Sequence, residues 1–217
     1  GCDRHGGHLY RFVSAEPVGD PHDPANSRLF AHGRLEVAQF SRDGEGRWLP
    51  LEPGAAINPH RPSAMAVDGV AQPAVVPNSD RSQAGSMALE SDAAVNDYCR
   101  LFSTLGDLYP GVGEAQQGAI LIDAHLAANA IGATPTARPE DTDIDPTTGD
   151  LLISFTAGGS DGSERADPAI FRGPKGETSW PYGWVMRLSD GPAQAKTPGG
   201  AFRWRMVATG GTPWQGG

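Results

Sequence analysis

Apolar and polar residues alternate along several short stretches of the chain. Residues 8–14 (HLYRFVS) and 35–40 (LEVAQF) show the period of two that is typical of a half-buried β-strand. Residues 47–51 (RWLPL) follow the second stretch after the dipeptide Asp43-Gly44. Glycine readily adopts the positive φ angle that a tight hairpin turn needs. The pattern therefore predicts that the second and third stretches form a β-hairpin.

Three further strands are predicted in the second half of the chain, at residues 151–156, 183–188 and 201–208. The first of them follows a turn at residues 146–149. In all, the chain contains about seven short strand-like runs and few helical ones. A parallel α/β fold would need regular alternation with helices, which is lacking. The pattern predicts an all-β fold and leaves a sandwich and a propeller open.

Helical periodicity is confined to the middle of the chain. Leucines recur at spacings of three and four near the end of residues 88–108. Residues 119–122 fit either a short buried strand or the entry to a helix. Residues 123–131 (DAHLAANAI) form a clear helical pattern, with Asp123 at its start and Gly132 as its C-cap.

The stretch at residues 53–86 is rich in Pro, Ala, Ser and Asn and has no clear period. Such a composition is typical of a long loop, so we expect it to be irregular or partly disordered. The length of the chain fits one domain. We therefore predict a single domain over residues 1–217 with an irregular insertion at residues 53–118.

Composition and charge narrow the range of partners. The 217 residues include 29 Gly and 19 Pro and carry a net charge of −9. Without a run of Lys or Arg, a nucleic acid or an anionic membrane is not expected to bind. No stretch reaches the roughly 20 apolar residues of a membrane span. The acidic surplus fits either simple solubility or cation binding.

Cysteine and histidine spacing does not indicate a zinc site. Cys2 and Cys99 are far apart and belong to no CxxC motif, and the six histidines form no HExxH motif. A disulfide between the two cysteines stays open. The chain shows no signal peptide and no initiator Met, and both ends resemble cuts. We expect it to be a segment of a longer protein.

Four carboxylates fall within six residues, at Glu140, Asp141, Asp143 and Asp145. In an extended backbone the three aspartates point to one side, and hard cations such as Ca²⁺ need several converging oxygens. The run is not an EF-hand, because Pro146 stands where that loop has its glycine. For Asp143 and Asp145 we favour the alternative of a plain hairpin turn with solvated acids.

Several motifs occur in the order of one known family. Residues 1–14 look like its "GDD…YLYKFVS" segment, and residues 33–51 look like "GTLYVAKF…DGTGEWLPL". Residues 126–141 look like "RLAADALGAT…RPE", and residues 181–187 with 202–204 look like "NPYGHIIRW…FRW". On these motifs the chain resembles the PhoX-type alkaline phosphatases, a family of exported β-propeller proteins.

This resemblance implies a fold and an activity. The chain would be part of a β-propeller with several short-stranded antiparallel blades, and the parent protein would supply the remaining blades. The family enzymes hydrolyse small phosphate monoesters with calcium and, in one branch, iron. The resemblance also implies that the protein is exported to the periplasm or the cell exterior by the twin-arginine pathway. Family segments with further ligands are missing here, so we expect this chain alone to be inactive.

Site residues carry over by position. Glu140 matches the Glu of "RPE", a metal ligand, and Asp3 matches the second acid of "GDD". Arg187 matches the Arg of the "GHIIRW" strand, a phosphate contact, and Asp190 stands for an acid that follows that Arg. These matches predict that Glu140, Asp3 and Asp190 bind metal and that Glu140 and Asp3 face the same concave side as Arg187.

Departures from the family pattern keep other functions open. Cys2 replaces the first acid of "GDD", and Trp184 replaces the His after the glycine of "GHIIRW". A non-catalytic propeller that binds a ligand or partner fits these changes. A lactonase-type calcium-dependent propeller hydrolase is a further alternative. Arg187 could also cap strand carbonyls. Core positions fit Tyr10, Trp48, Trp184 and Trp204.

Overall fold

The structure, a computed structural model, describes residues 5–157, 166–190 and 199–217. Asp3 and residues 158–165 lie outside these ranges. The strands are β1 (His5–Gly7), β2 (Tyr10–Ser14), β3 (Gly33–Phe40), β4 (Glu45–Pro50), β5 (Ala74–Pro77), β6 (Ser86–Leu89), β7 (Thr136–Ala137), β8 (Pro139–Ile144), β9 (Leu151–Phe155), β10 (Trp184–Ser189) and β11 (Ala201–Thr209). The helices are α1 (Asp92–Leu101), α2 (Leu105–Leu108), α3 (Gly113–Ile122) and α4 (Ala124–Ala130), with a 3-10 helix at Pro24–Phe30.

Seven strands form one antiparallel sheet in the order β2-β3-β4-β11-β10-β9-β8. The sheet curls into an open half-barrel. Its strands include all six that the alternating pattern predicts, and the mostly-β class is confirmed. The acidic run, from Glu140 onward, lies largely on the edge strand β8. Within the described ranges, no helix is long and apolar enough to cross a membrane.

The two faces of the sheet are buried in different cores. On β3, Val37 packs into a cluster with the helices, whereas its neighbours Ala38 and Phe40 belong to a second cluster on the opposite face. We call the face of Val37 the outer face and that of Ala38 the inner face. Side chains alternate between faces along a strand. Apolar residues at both parities of β3 therefore show that helices cover the outer face at this end.

The predicted hairpin joins β3 to β4. Gly44 adopts a φ of +83°, as the Asp43-Gly44 turn requires. Gly46 lies against the ring of Phe202, and a Cβ atom there would come within 2.2 Å of that ring. The absence of a side chain at this position thus lets β11 pack beside β4.

The segment at residues 53–118 is more regular than its composition suggests. β5 and β6 pair as a hairpin in which Val76 is fully buried, and the hydroxyl of Tyr98 in α1 donates to the Pro77 carbonyl at 3.0 Å. The expectation of irregular structure up to residue 86 is therefore wrong for β5. Composition misleads here because the strand is short and is buried against helix α4, which lies elsewhere in the sequence. That the segment is an insertion stays a prediction.

Helix α4 begins and ends at the residues that its pattern predicts. Asp123 occupies the N-cap position, but its carboxylate accepts from the hydroxyl of Tyr109 at 2.7 Å and from Arg81 at 3.2 Å instead of capping the helix. Gly132 follows the C-cap with a φ of +78°. A Cβ atom at Gly132 would approach the carbonyl oxygen of Asn58 to 2.4 Å, so only glycine fits.

We predict that Gly132→Ala lowers the free energy of unfolding by about 2–3 kcal/mol, because alanine is strained at positive φ and meets a backbone oxygen. Gly118→Ala is the matched control. Gly118 lies inside α3 with open space around it, so this change should stabilise by about 0.5–1 kcal/mol. Urea unfolding of both variants measures the difference. Equal effects would contradict the assignment.

Candidate functional site

Arg187 lies on β10 and extends from the outer face of the sheet. Its Nη2 contacts Asp145 Oδ2 at 2.7 Å, and its Nη1 contacts Asp150 Oδ2 at 3.3 Å. The guanidinium thus binds carboxylates and not strand carbonyls, and its side chain is 22% exposed. The two aspartates flank the predicted turn, since Asp145 N–H donates to the Asp150 carbonyl at 2.9 Å.

Hydrogen bonds keep both aspartates ionised. The backbone N–H of Thr147 donates to Asp145 at 2.9 Å and, with a smaller effect from Arg187, lowers the pKa of Asp145. The pKa of Asp150 is lowered chiefly by the side-chain hydroxyl of Ser189, again with Arg187 contributing. The ion pairs therefore persist at neutral pH and fix the orientation of the guanidinium.

Two more arginines stand beside Arg187. Arg205 is its direct cross-strand partner on β11, and Arg203 lies two residues further along the same face. An open groove of about 350 Å³ runs between these side chains, and Trp204 and Ser189 also line it. We call it the arginine groove. Asp43, Glu45 and Asp150 line the groove as well, and Glu45 pairs with Arg203 at 3.0 Å. Arginine side chains and carboxylates thus alternate along it.

Glu140 lies at an irregular point of β8, where the pairing with β9 shifts between Pro139 and Asp141. Its side chain is exposed. Arg138 just before it has a φ of +48°, an uncommon conformation for a residue with a side chain. Non-glycine residues with a positive φ are often found at functional sites. The backbone conformation thus points to the same segment as the "RPE" motif.

Glu140 and Arg187 are separated by strand β9. The register pairs Asp143 with Leu152, and Leu152 with Arg187. Glu140 is thus two strands across and three residues along from Arg187, which places the two backbones about 14 Å apart. The groove and Glu140 do not share one pocket among the residues that the structure describes.

Asp190 lies on the opposite side of the sheet from Arg187. Its carboxylate contacts Arg11 Nη1 at 2.8 Å and lies 3.4 Å from the indole nitrogen of Trp48. Arg11 belongs to β2 and Asp190 directly follows β10, and these strands are four places apart in the sheet. A flat sheet would hold such strands about 19 Å apart. Their contact therefore shows how strongly the sheet curls around its inner face.

A buried ion cluster forms around this contact. Glu36 on β3 is fully buried, and its two oxygens contact Arg11 Nε at 2.6 Å and Arg34 Nε at 2.8 Å. The Arg11 guanidinium also lies 4.5 Å from the centre of the Trp48 ring. We call Arg11, Arg34, Glu36, Trp48 and Asp190 the inner ion cluster. Charge pairing and stacking compensate the removal of these groups from water.

The sequence carries a signal for this cluster, a charged residue at a core-facing position of a strand. In β3, Glu36 shares its face with Ala38 and Phe40, so it is a charged residue at a core position. A buried acid requires a cationic partner, and two arginines lie on the same face. Which arginines those are depends on the curl of the sheet, and the alternation alone does not give it.

The predicted metal ligands do not assemble into a metal site here. Across residues 5–157, 166–190 and 199–217, no three His, Cys, Asp or Glu side chains are placed to hold an ion. Glu140 stands by itself on the edge strand, Asp190 is paired with Arg11, and Asp3 is outside the described ranges. These residues by themselves therefore do not fit a resident metal.

We predict that Glu36→Gln destabilises the fold by about 3 kcal/mol or more, because it removes the buried charge that both Arg11 and Arg34 contact. Glu45→Gln is the control, since Glu45 also pairs with an arginine, Arg203, but both side chains are exposed (48% and 81%). Its effect should be far smaller. Comparable losses in urea unfolding would show that burial does not matter at Glu36.

Comparison with known proteins identifies the family. The family model described as alkaline phosphatase PhoX matches residues 1–216. No curated protein gives a significant match. The solved structure of Pseudomonas fluorescens PhoX in complex with vanadate, a transition state analogue, matches with a TM-score of 0.54 and 23% identity, over 94% of this chain and 27% of that one. The chain thus spans about a quarter of that relative, and it belongs to the PhoX alkaline phosphatase family.

Proposed function

We propose that the protein containing this chain hydrolyses phosphate monoesters and that the arginine groove binds the phosphate group. This proposal rests on Arg187, which two ionised aspartates hold in place. Arg203 and Arg205 lie beside it on the adjacent strand. A guanidinium presents two parallel N–H donors to phosphate oxygens. Cationic groups that are already oriented stabilise the charge that develops on those oxygens during phosphoryl transfer.

Each arginine has a distinct part in this proposal. Arg187 is the fixed element, because Asp145 and Asp150 orient its guanidinium and little of it is exposed. Arg203 and Arg205 are exposed, and Arg203 would exchange its contact with Glu45 for the anion. The vanadate bound by the Pseudomonas relative is a mimic of transferring phosphate, which supports the same reaction class for this family member.

Metal binding in the whole protein is a further part of the proposal. Glu140 is exposed at a kink that the positive φ of Arg138 fixes, so its carboxylate is available to an ion. Asp3 would join it. Asp190 would do so only if Arg11 released it. By family resemblance the ions would be calcium and, in one branch, iron, and other segments of the protein would add the remaining ligands. These ions would neutralise and polarise the phosphate oxygens.

The same resemblance places the chain in a propeller. We propose that the half-barrel sheet contributes blades that the rest of the protein completes, and that the protein works in the periplasm or outside the cell. Small phosphate esters would be the substrates.

A non-catalytic binding module is the second candidate. Arg187 already has two carboxylate partners, and the described residues hold no metal-binding group of three acids or histidines. Such a site binds an anion without activating water. Turnover by the full-length protein distinguishes the two functions.

We predict that the 217-residue chain alone does not turn over p-nitrophenyl phosphate with added calcium and iron, because the residues that the structure describes hold no metal site. The full-length protein, assayed in parallel, should show activity that a chelator removes. Turnover by the isolated chain at a rate near that of the full-length protein would refute the need for other segments. Inactivity of both would favour the binding module.

In the full-length protein, Arg187→Lys should lower kcat/KM by on the order of 100-fold, since lysine keeps the charge but loses the two-pronged contact.

Glu140→Gln should lower activity and metal content together. Arg100→Ala and Glu114→Gln, on exposed helix surfaces, are the controls and should retain full activity. If Glu140→Gln keeps both its metal and its rate, Glu140 is a solvated acid.

A further inference from the structure

A cavity distinct from the arginine groove lies between helix α4 and strand β5. It measures about 70 Å³ and opens to solvent, and three of its polar side chains are His60, Gln72 and Asn129. The loop before β5 and the start of that strand contribute an apolar wall that includes Met65, Ala74 and Val75. An apolar recess with a few convergent polar groups is the usual form of a small-molecule site.

Two of these side chains each donate one N–H to a backbone carbonyl. His125 is a fourth polar residue of the wall, and its ring carries at least one N–H donor. His60 lies 3.0 Å from the Ala133 carbonyl through Nε2, which therefore carries the proton that it donates. In the tautomer that has its proton on Nε2, Nδ1 is an acceptor. Gln72 donates its amide N–H to the Val70 carbonyl at 2.8 Å, so its amide oxygen is an acceptor as well.

Asn129 acquires the same character from His8 behind it. His8 Nδ1 lies 3.0 Å from the Thr134 carbonyl oxygen and Nε2 lies 2.8 Å from the Asn129 side-chain oxygen. Burial lowers the pKa of His8 to about 4, with a smaller effect from His125, so the ring is neutral at pH 7 and donates only one proton. The Thr134 carbonyl can only accept, so Nδ1 must donate to it, whereas the side-chain amide of Asn129 can rotate and exchange its oxygen and nitrogen. Asn129 then donates to Nε2 and turns its oxygen away from His8.

The lining of the cavity disfavours a charged ligand. Among the residues that the structure describes, no Arg, Lys, Asp or Glu lines it. An anion would find no cation, and a cation would find no carboxylate to compensate its loss of water. Nor are three His, Cys, Asp or Glu side chains of the described ranges placed there to hold a metal.

We propose that this cavity binds a small uncharged polyol, a molecule or group that carries several hydroxyl donors on a short carbon chain. Its hydroxyls donate to His60, Gln72 and Asn129, and its carbon atoms pack on the apolar wall. The volume suits a few heavy atoms, because a cavity of about 150 Å³ holds benzene. The open mouth lets a larger molecule extend outward. This site is independent of phosphate binding at Arg187.

Glycerol is the probe that tests the site on the 217-residue chain. Two-dimensional NMR of the histidine rings and side-chain amides, recorded at pH 7.5 as the probe is added, should show saturable shifts at His60 and Asn129. 1-Propanol, with a single hydroxyl, should bind at least tenfold more weakly. Inorganic phosphate should leave these resonances unmoved. Stronger shifts with phosphate or Zn²⁺ than with glycerol, or no saturable shift with glycerol, would overturn the proposal.

Variants separate binding from folding. Gln72→Met keeps the shape of the side chain and removes an acceptor, so it should raise the dissociation constant for glycerol at least tenfold. Gln83→Met, at an exposed amide outside the cavity, is the matched control and should bind as the parent does. His60→Leu should abolish binding, and amide spectra of that variant show whether it is folded. Unchanged binding by Gln72→Met would also overturn the proposal.

Discussion

The contact of Arg11 with Glu36 and Asp190 is the constraint on which the shape of the sheet depends. It joins residues 179 positions apart and brings strand β2 to strand β10 across the inner face. Glu36 is fully buried, so it is stable there only with both of its arginines. Because the ends of the cluster lie on distant strands, satisfying these charges requires the sheet to curl.

The curl of the sheet determines which charged side chains remain accessible. On the inner face the second core fills the half-barrel, and Asp190 is held by Arg11 and Trp48. On the outer face, beyond the helices, Arg187 and its two cross-strand neighbours remain accessible. Three arginines can share a face because Asp145 and Asp150 neutralise one of them. The residues that hold the fold together and those that could bind phosphate thus lie on opposite faces.

Under the proposed function, this chain would supply part of a larger site. It spans about a quarter of the solved Pseudomonas relative, and its acids are spread over an edge strand, a turn and the inner ion cluster. Metal sites for phosphate need several oxygens within a few ångströms. Such a set is assembled when segments from different parts of a chain converge, which is compatible with the separation of Glu140, Asp190 and Arg187 seen here.

Local features of the sequence determined the strands, two key glycines and the family. Alternation identified β3, β4 and β10, because the face of a strand repeats every two residues. Gly44 and Gly132 followed from the positive φ that a hairpin turn and a helix end require. The family motifs are short and ordered along the chain, so they too could be recognised without coordinates.

Only the tertiary structure decided which residues meet. Arg187 meets the two aspartates of the turn that follows β8. Asp190, three residues further on, meets Arg11 of β2, a strand four places away in the sheet. The burial of Glu36 and the acceptor-rich cavity around Asn129 arise from contacts between residues more than a hundred positions apart, such as that with His8. These contacts depend on the curl and register of the whole sheet, which no local pattern encodes.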